Sequence, residues 1–136
     1  MTSELRVDNL KGSTTGGSIN VLGEGTSATT NLQQGLTKSW INLNGTGTAA
    51  FRDSFNTSGL TDNGTGSYTV SFANDFANAS YSAAAAGGER TVTWGIYLGI
   101  SGGANAAGSH GFHNVSPSDT LTDSAHIFVQ FCGDLA

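Results

Sequence analysis

Charged side chains are scarce in this chain. They make up 11% of its 136 residues, against roughly 25% in an ordinary soluble domain. Lys and Arg together number five, and the formal net charge is −5, so there is no basic stripe for a phosphate backbone and we expect no nucleic-acid partner. Because surface helices are built largely from Glu, Lys and Arg, the same shortage argues against a helical fold.

Cysteine and proline occur once each. The single Cys132 cannot form an intrachain disulfide, and we interpret it as a small buried apolar residue. No apolar run approaches the ~20 residues that cross a membrane, so we expect no membrane insertion. The N-terminal residues also lack the pattern of a signal peptide. With so little proline, the turns must depend on asparagine and on the 20 glycines.

Apolar residues alternate with polar ones over most of the chain after residue 38, which is typical of strands. In "AHIFVQFC", for example, Ile127, Val129 and Phe131 are predicted to point inward. The pattern predicts six strands, at residues 39–44, 48–55, 67–73, 79–86, 90–100 and 125–132. Residues 101–124, rich in Gly, Ala and Ser, are predicted to form a long loop. Short strands without helical periods predict an all-β fold, an antiparallel β-sandwich of jelly-roll type or a barrel.

Three aromatic residues, Trp40, Tyr97 and Phe128, fall on the outward side of their predicted strands. In the strand at 90–100, Val92, Trp94, Ile96 and Leu98 are predicted to point the other way. A sandwich with aromatics on both faces of its strands has a second surface to bury, and a neighbouring subunit is its simplest source.

Residues 1–38 differ from the remainder of the chain. "ELRVDNL" and "GSINVLG" are predicted as two brief strands, which cannot make a core alone. "NLQQGLTK" is long enough for one helical turn, with nothing local to stabilise it. We therefore predict an extended N-terminal arm, 1–38, and a compact C-terminal domain, 39–136.

The tetrapeptide Asn-Gly-Thr-Gly occurs twice, at Asn44–Gly47 and Asn63–Gly66. Asn-Gly is a strong hairpin signal because both residues tolerate the positive φ of a type I′ turn. A phosphate-binding loop would need a following helix or a lysine, and neither is evident. We interpret both copies as turns whose glycines serve backbone geometry.

The segment that contains both copies, "KSWINLNGTGTAAFRDSFNTSGLTDNGTGSYTVSFANDFANASYS", spans Lys38 to Ser82. It resembles a segment that recurs in tail-fibre and other virion proteins of bacteriophages, especially marine and cyanobacterial ones. The matches run through Trp40, the Arg-Asp-Ser-Phe-Asn stretch at 52–56 and residues 62–70. Leu43 stands where Phe is common in that family, and "SELRVDNLKG" is similar to the N-terminal strand of many such proteins.

This resemblance implies a virion structural protein, made in the host bacterial cytoplasm and assembled into the particle. It implies a homotrimer with a C-terminal β knob and an N-terminal arm that binds other virion proteins through residues 1–38. Tail and capsid positions both stay open, and the chain length suits a head fibre, a capsid decoration or a short tip protein. The alternatives are a lectin-like module for host-surface glycan and a capsid cement protein.

Candidate chemistry is sparse, and we expect neither an enzyme nor a cofactor. Possible binding residues are Tyr97, Asn105, His110 and His113, with Trp94 as a further candidate for stacking on sugar. His110 and His113 have the spacing of a weak metal pair; no partner ligand is adjacent, so no metal site is assigned. Arg52 and Asp53 are interpreted as a structural pair across strands or subunits, Asp62 as a turn residue, and Asp119 and Asp123 as loop caps.

Overall fold

The computed structural model describes residues 4–23, 28–89, 92–98 and 105–136, with the backbone alone at positions 89 and 92–94. The chain divides into two compact units, Met1–Leu36 and Thr37–Ala136. In the described ranges, no helix is long and apolar enough to cross a membrane.

The first unit contains a short antiparallel hairpin and one helical turn. Strand β1 (Asn20–Leu22) pairs with β2 (Thr29–Asn31), and α1 (Leu32–Gly35) follows. The prediction that nothing local stabilises this turn is wrong, because the Asn31 side chain accepts hydrogen bonds from the backbone N–H groups of Gln33 and Gln34. A side-chain oxygen at this position satisfies amides that have no partner inside the helix. The strand predicted in "ELRVDNL" is also wrong, since described residues 4–10 form none.

The second unit is all-β and antiparallel. In the part of it that the structure describes there are eight strands: β3 (Thr37–Asn44), β4 (Ala50–Phe55), β5 (Thr57–Gly64), β6 (Ser67–Phe72), β7 (Ser82–Glu89), β8 (Val92–Leu98), β9 (Ser109–Val115) and β10 (His126–Cys132). Six of them confirm predicted strands. The alanine-rich β7 is among these, so its small residues are in a strand as predicted.

The strand order is β4-β3-β10-β7-β8-β9-β6-β5. Strand β8 joins two groups: its residues 92–94 pair with β7, and Gly95–Leu98 pair with β9. We call β4, β3, β10 and β7 the first half-sheet, and β9, β6 and β5 the second half-sheet.

One core contains side chains from both half-sheets. From the first come Ile41, Leu43, Ile127, Val129 and Phe131, and from the second Tyr68, Val70, Phe72 and Phe112. They lie at every second position of their strands, as the alternation predicted. Each large apolar side chain so buried stabilises the fold by about 1.5–3 kcal/mol. A shared core between two half-sheets is consistent with a β-sandwich.

The prediction of a loop over 101–124 is wrong for its middle part, where β9 forms. Its alternate residues His110, Phe112 and Asn114 are all buried. Two of these three inward residues are polar, which hid the alternation from a hydrophobicity pattern.

Strand β5 was missed for a related reason: it is an edge strand whose residues are mostly exposed and polar. Cys132, predicted to be buried, is only half-buried.

Candidate functional site

The second Asn-Gly-Thr-Gly copy forms the tight turn between β5 and β6. Gly64 pairs with Ser67, which leaves Thr65 and Gly66 as the turn residues. Gly66 has φ +65° whereas Thr65 is not in the positive-φ region. The predicted type I′ turn centred on Asn63 is therefore wrong, because that turn needs positive φ at both central residues. The prediction of a hairpin turn itself is confirmed.

Both copies of the repeat contact the same segment, residues 122–125, through a polar network. The Asp123 carboxylate accepts hydrogen bonds from the Gly66 backbone N–H at 2.8 Å and from the Tyr68 hydroxyl at 2.7 Å. The Gly45 N–H donates to the Ser124 carbonyl at 2.8 Å, and the Gly45 carbonyl lies 3.2 Å from the Tyr68 hydroxyl. Burial and the Asp123 carboxylate raise the pKa of Tyr68, which keeps its hydroxyl a donor.

Strand β9 completes this network. The Asn114 side-chain amide donates to the Thr122 carbonyl at 2.6 Å, and the Thr122 N–H donates to the Asn114 carbonyl at 3.0 Å. The Asn114 N–H donates to the Gly66 carbonyl at 2.8 Å. The repeated sequence is thus a pair of turns fixed to one loop. The hydrogen bonds of Tyr68 to Asp123 and to Gly45, which join the two turns, have no local sequence signal.

Removing the Tyr68 hydroxyl tests this network. We expect Tyr68→Phe to lower the free energy of unfolding by about 1–3 kcal/mol, because the carboxylate of Asp123 loses a buried donor. Tyr97→Phe is the matched control, since the Tyr97 hydroxyl donates to Asp119 at 2.5 Å on the surface, and we expect no measurable change there. Urea denaturation at neutral pH measures both. Equal effects of the two substitutions would contradict the network's role.

His110 lies in the core rather than in a loop. It is 2% exposed, and its Nδ1 lies 3.1 Å from the Tyr81 hydroxyl. Its Nε2 is buried without a hydrogen-bond partner. Burial lowers the pKa of His110 to about 4 and raises the pKa of Tyr81 to about 12, so both side chains are neutral at pH 7.

His113 is also on β9, three residues further on, so it points to the opposite side of the strand from His110. The two imidazoles of one chain therefore cannot share a ligand. No group of three or more metal-ligating side chains exists among the described residues. His113 instead lies opposite Tyr97 of β8, on the outward side of the sheet.

Tyr97 is 44% exposed, and its hydroxyl is held by Asp119, which has a positive φ of 59°. Tyr97 and His113 are thus the two predicted binding residues that the fold brings together. Asn105 is exposed at the start of a described range. The side chain of Trp94, the further stacking candidate, lies outside what the structure describes, as do residues 101–104 of the predicted loop.

Arg52 bonds across strands, which is the role predicted for Arg52 and Asp53 as a pair. The Arg52 guanidinium donates to the carbonyls of Leu43, at 3.3 Å, and Ala125. Asp53 accepts from the backbone N–H of Ser54 at 2.8 Å. Asp62 accepts from the Gly64 N–H at 2.9 Å, which confirms it as a turn residue.

The outward side of the first half-sheet carries two of the three predicted outward aromatics. Cross-strand pairing aligns two rows on it: Phe55–Trp40–Gln130–Ala84 and Asp53–Asn42–Phe128–Ala86. We call these eight residues the outer face. Phe128 is 44% exposed and Phe55 is 53% exposed.

Phe55 was missed because β4 contains a bulge. The register between β3 and β4 shifts at Asn42 and Leu43, where Asn42 lies opposite Asp53 and Leu43 lies opposite Phe51. Phe51 therefore packs on the core, although Phe55, an even number of residues away, lies on the outer face. A bulge of this kind reverses the alternation.

An open groove of about 460 Å³ crosses the outer face. Its walls include Trp40, Asn42, Phe128 and Gln130, and Ala84 and Ala86 of β7 leave space beside Phe128. Among the residues whose side chains the structure describes, none that lines it is charged. The Oδ1 atom of Asn42 is buried without a hydrogen-bond partner. A surface of aromatic, amide and methyl groups suits an uncharged, largely apolar occupant.

Tyr97, the third outward aromatic, lies on β8 and is not part of the outer face.

Comparisons of the chain with protein-family models, with curated proteins and with solved structures found no match.

Proposed function

We propose that this chain is a structural protein of a bacteriophage particle. Its second unit is a jelly-roll-like β-sandwich knob that projects from the tail or the capsid as a homotrimer. Its first residues, 1–38, are the arm that binds other virion proteins. The observation that carries the proposal is the outer face, because two exposed aromatic rings and a groove without charged walls occupy one side of a sheet that is already buried on its other side.

Two further features support a passive structural role. The segment that resembles virion proteins, Lys38 to Ser82, supplies β3 to β6 and both repeated turns. The polar side chains that the structure brings together there, Tyr68 and Asp123, hold those turns in place. The hydrogen bonds of these two side chains stabilise the fold of the knob.

The arm is proposed from the first unit considered alone. Leu5, Val7 and Leu10 are 76%, 55% and 54% exposed, and such side chains gain free energy when a partner covers them. Residues 4–10 form no strand within this unit, so the partner supplies the pairing edge for them.

A second candidate, glycan recognition by the same knob, is favoured by the Tyr97–His113 pair. An exposed tyrosine ring stacks on a sugar ring, and the neighbouring imidazole and the Asp119 carboxylate can bond hydroxyl groups. Tyr97 lies on the second half of β8 and His113 lies opposite it on β9. Both are on the outward side of their strands, away from the outer face. A trimeric knob can therefore carry this function as well.

Native mass spectrometry of the full chain and immunogold labelling of particles test the proposal. We expect a dominant mass of three times 13.8 kDa at micromolar concentration, and label on the tail or capsid of particles that encode the chain. Particles without label would overturn the virion role, and a dominant monomer would overturn the trimer. A monomer that binds neutral glycans on an array, and loses binding in Tyr97→Ala, would establish the second candidate instead.

A further inference from the structure

The outer face carries a projection and a hollow at its opposite sides. Phe55 projects from β4, the edge strand, with 53% of its surface exposed. Ala84 and Ala86 lie on β7, and their small side chains leave the groove beside Phe128. Between β4 and β7 lie two strands, so Phe55 and these two alanines are roughly 14 Å apart, at about 4.8 Å per strand spacing.

This separation decides how the two features can meet. Phe55 cannot fill the space beside Ala84 and Ala86 of its own chain, because all three residues are on one rigid face of a hydrogen-bonded sheet. A second copy can supply the phenyl ring, and then offers its own groove to the next copy. A contact between two different patches is heterologous, and it closes into a ring when the rotation allows.

The charges of the face are compatible with a second copy, and its dimensions limit the size of the contact. The groove walls that the structure describes are uncharged, so they attract neither an anionic nor a cationic partner. Asp53 is the one acidic residue of the outer face, so like charges add little repulsion between copies. Four strands of about seven residues cover roughly 19 by 23 Å, about 440 Å² in projection. This is about half of the 800 Å² of accessible surface that each partner buries in a standard interface, so a single substitution is sufficient to disrupt the contact.

We propose that Phe55 of one copy inserts into the groove lined by Trp40, Phe128 and Ala86 of the next, so that the copies associate head to tail. This inference rests on the proposed homotrimer and names the surface that forms it. The aromatic ring fills the space that the alanines leave. Tyr97 stays on the outside of the ring.

Two single substitutions and their mixture test the proposal. Phe55→Ser removes the projection and Ala86→Arg fills the hollow; both positions are exposed, so the fold is retained. We expect each variant alone to weaken association at least tenfold and to shift the native mass from trimer to monomer. Mixed together, the variants have one intact contact between them, the Phe55 of the Ala86→Arg chain and the groove of the Phe55→Ser chain, so a heterodimer forms.

Tyr97→Ser is the matched control, since it removes an aromatic ring of similar exposure from the other side of the body. Its oligomeric state in native mass spectrometry should equal that of the wild type. Thermal melts verify that every variant is folded. A wild-type trimer that both substitutions leave intact overturns this inference and leaves the proposed trimer standing. Monomeric variants that do not combine overturn the contact between Phe55 and the groove. A wild-type monomer whose groove binds a neutral oligosaccharide, with binding lost in Ala86→Arg, assigns the groove to sugar.

Discussion

Gly66→Ala is expected to lower the free energy of unfolding by more than about 3 kcal/mol, the size of effect that a backbone clash in a well-packed region produces. A methyl group there would lie 2.6 Å from the Asn114 carbonyl oxygen and closer still to the Thr122 backbone nitrogen. Neither atom can move without breaking the hydrogen bonds between β9 and residue 122. The positive φ of 65° adds strain for any residue with a Cβ.

The repeat itself provides the control. Gly47 holds the same place in the first copy and has φ +69°, but a methyl group there would meet nothing within 4 Å. Gly47→Ala should therefore lower the free energy of unfolding only by the conformational penalty of a positive φ, about 1–2 kcal/mol. Urea denaturation of both variants, followed by far-UV circular dichroism, separates steric from conformational cost. Equal losses for the two would show that the loop at residue 122 does not press on Gly66.

Acidification from pH 6.5 to pH 4 is expected to destabilise the second unit through His110. The unfolded chain binds a proton on this imidazole near its ordinary pKa of about 6.5, whereas burial lowers the pKa in the folded state to about 4. In this window the unfolded state binds more protons, so stability falls as the pH falls. Above pH 6.5 the imidazole is neutral in both states and stability does not depend on it. At pH 4 the free energy of unfolding is lower by roughly 3 kcal/mol, at about 1.4 kcal/mol per pKa unit.

His110→Gln and His113→Gln separate this effect from general titration. Both replacements keep a polar side chain without an imidazole, but His113 is half-buried on the other side of β9. Between pH 6.5 and 5, where most carboxyl groups stay ionised, stability should become nearly independent of pH in His110→Gln alone. Denaturation curves at half-unit pH steps and constant protein concentration supply the measurement. An unchanged slope in His110→Gln would assign the acid sensitivity to other groups.

The sequence predicted the strands whose inward residues are apolar. The alternation of Ile127, Val129 and Phe131 was sufficient for β10, and both termini of that strand were placed closely. Apolar alternation did not predict β9, where His110 and Asn114 face inward. Their hydrogen-bond partners, Tyr81 and Thr122, come near them only in the folded chain. Local patterns contain no information on such partners.

The candidate site was partly predictable for the same reason. Trp40 and Phe128 follow from the alternation of two regular strands, but Phe55 depends on a bulge that reverses the face of β4. The groove depends on β7 lying beside β10, a neighbour relation between elements far apart in the chain. The pairing of Tyr97 with His113 likewise needs the β8–β9 register.

The placement of β3 has a mechanical consequence. This strand begins at Thr37, is paired with β4 on one side and β10 on the other, and has Thr37 opposite Cys132. A pull applied at Thr37 along the strand loads the hydrogen bonds of both ladders together, in shear, instead of opening them one after another. Rupture under force is governed by the unfolding rate, and loading both ladders together slows it, so the second unit resists a pull applied through Thr37 along β3.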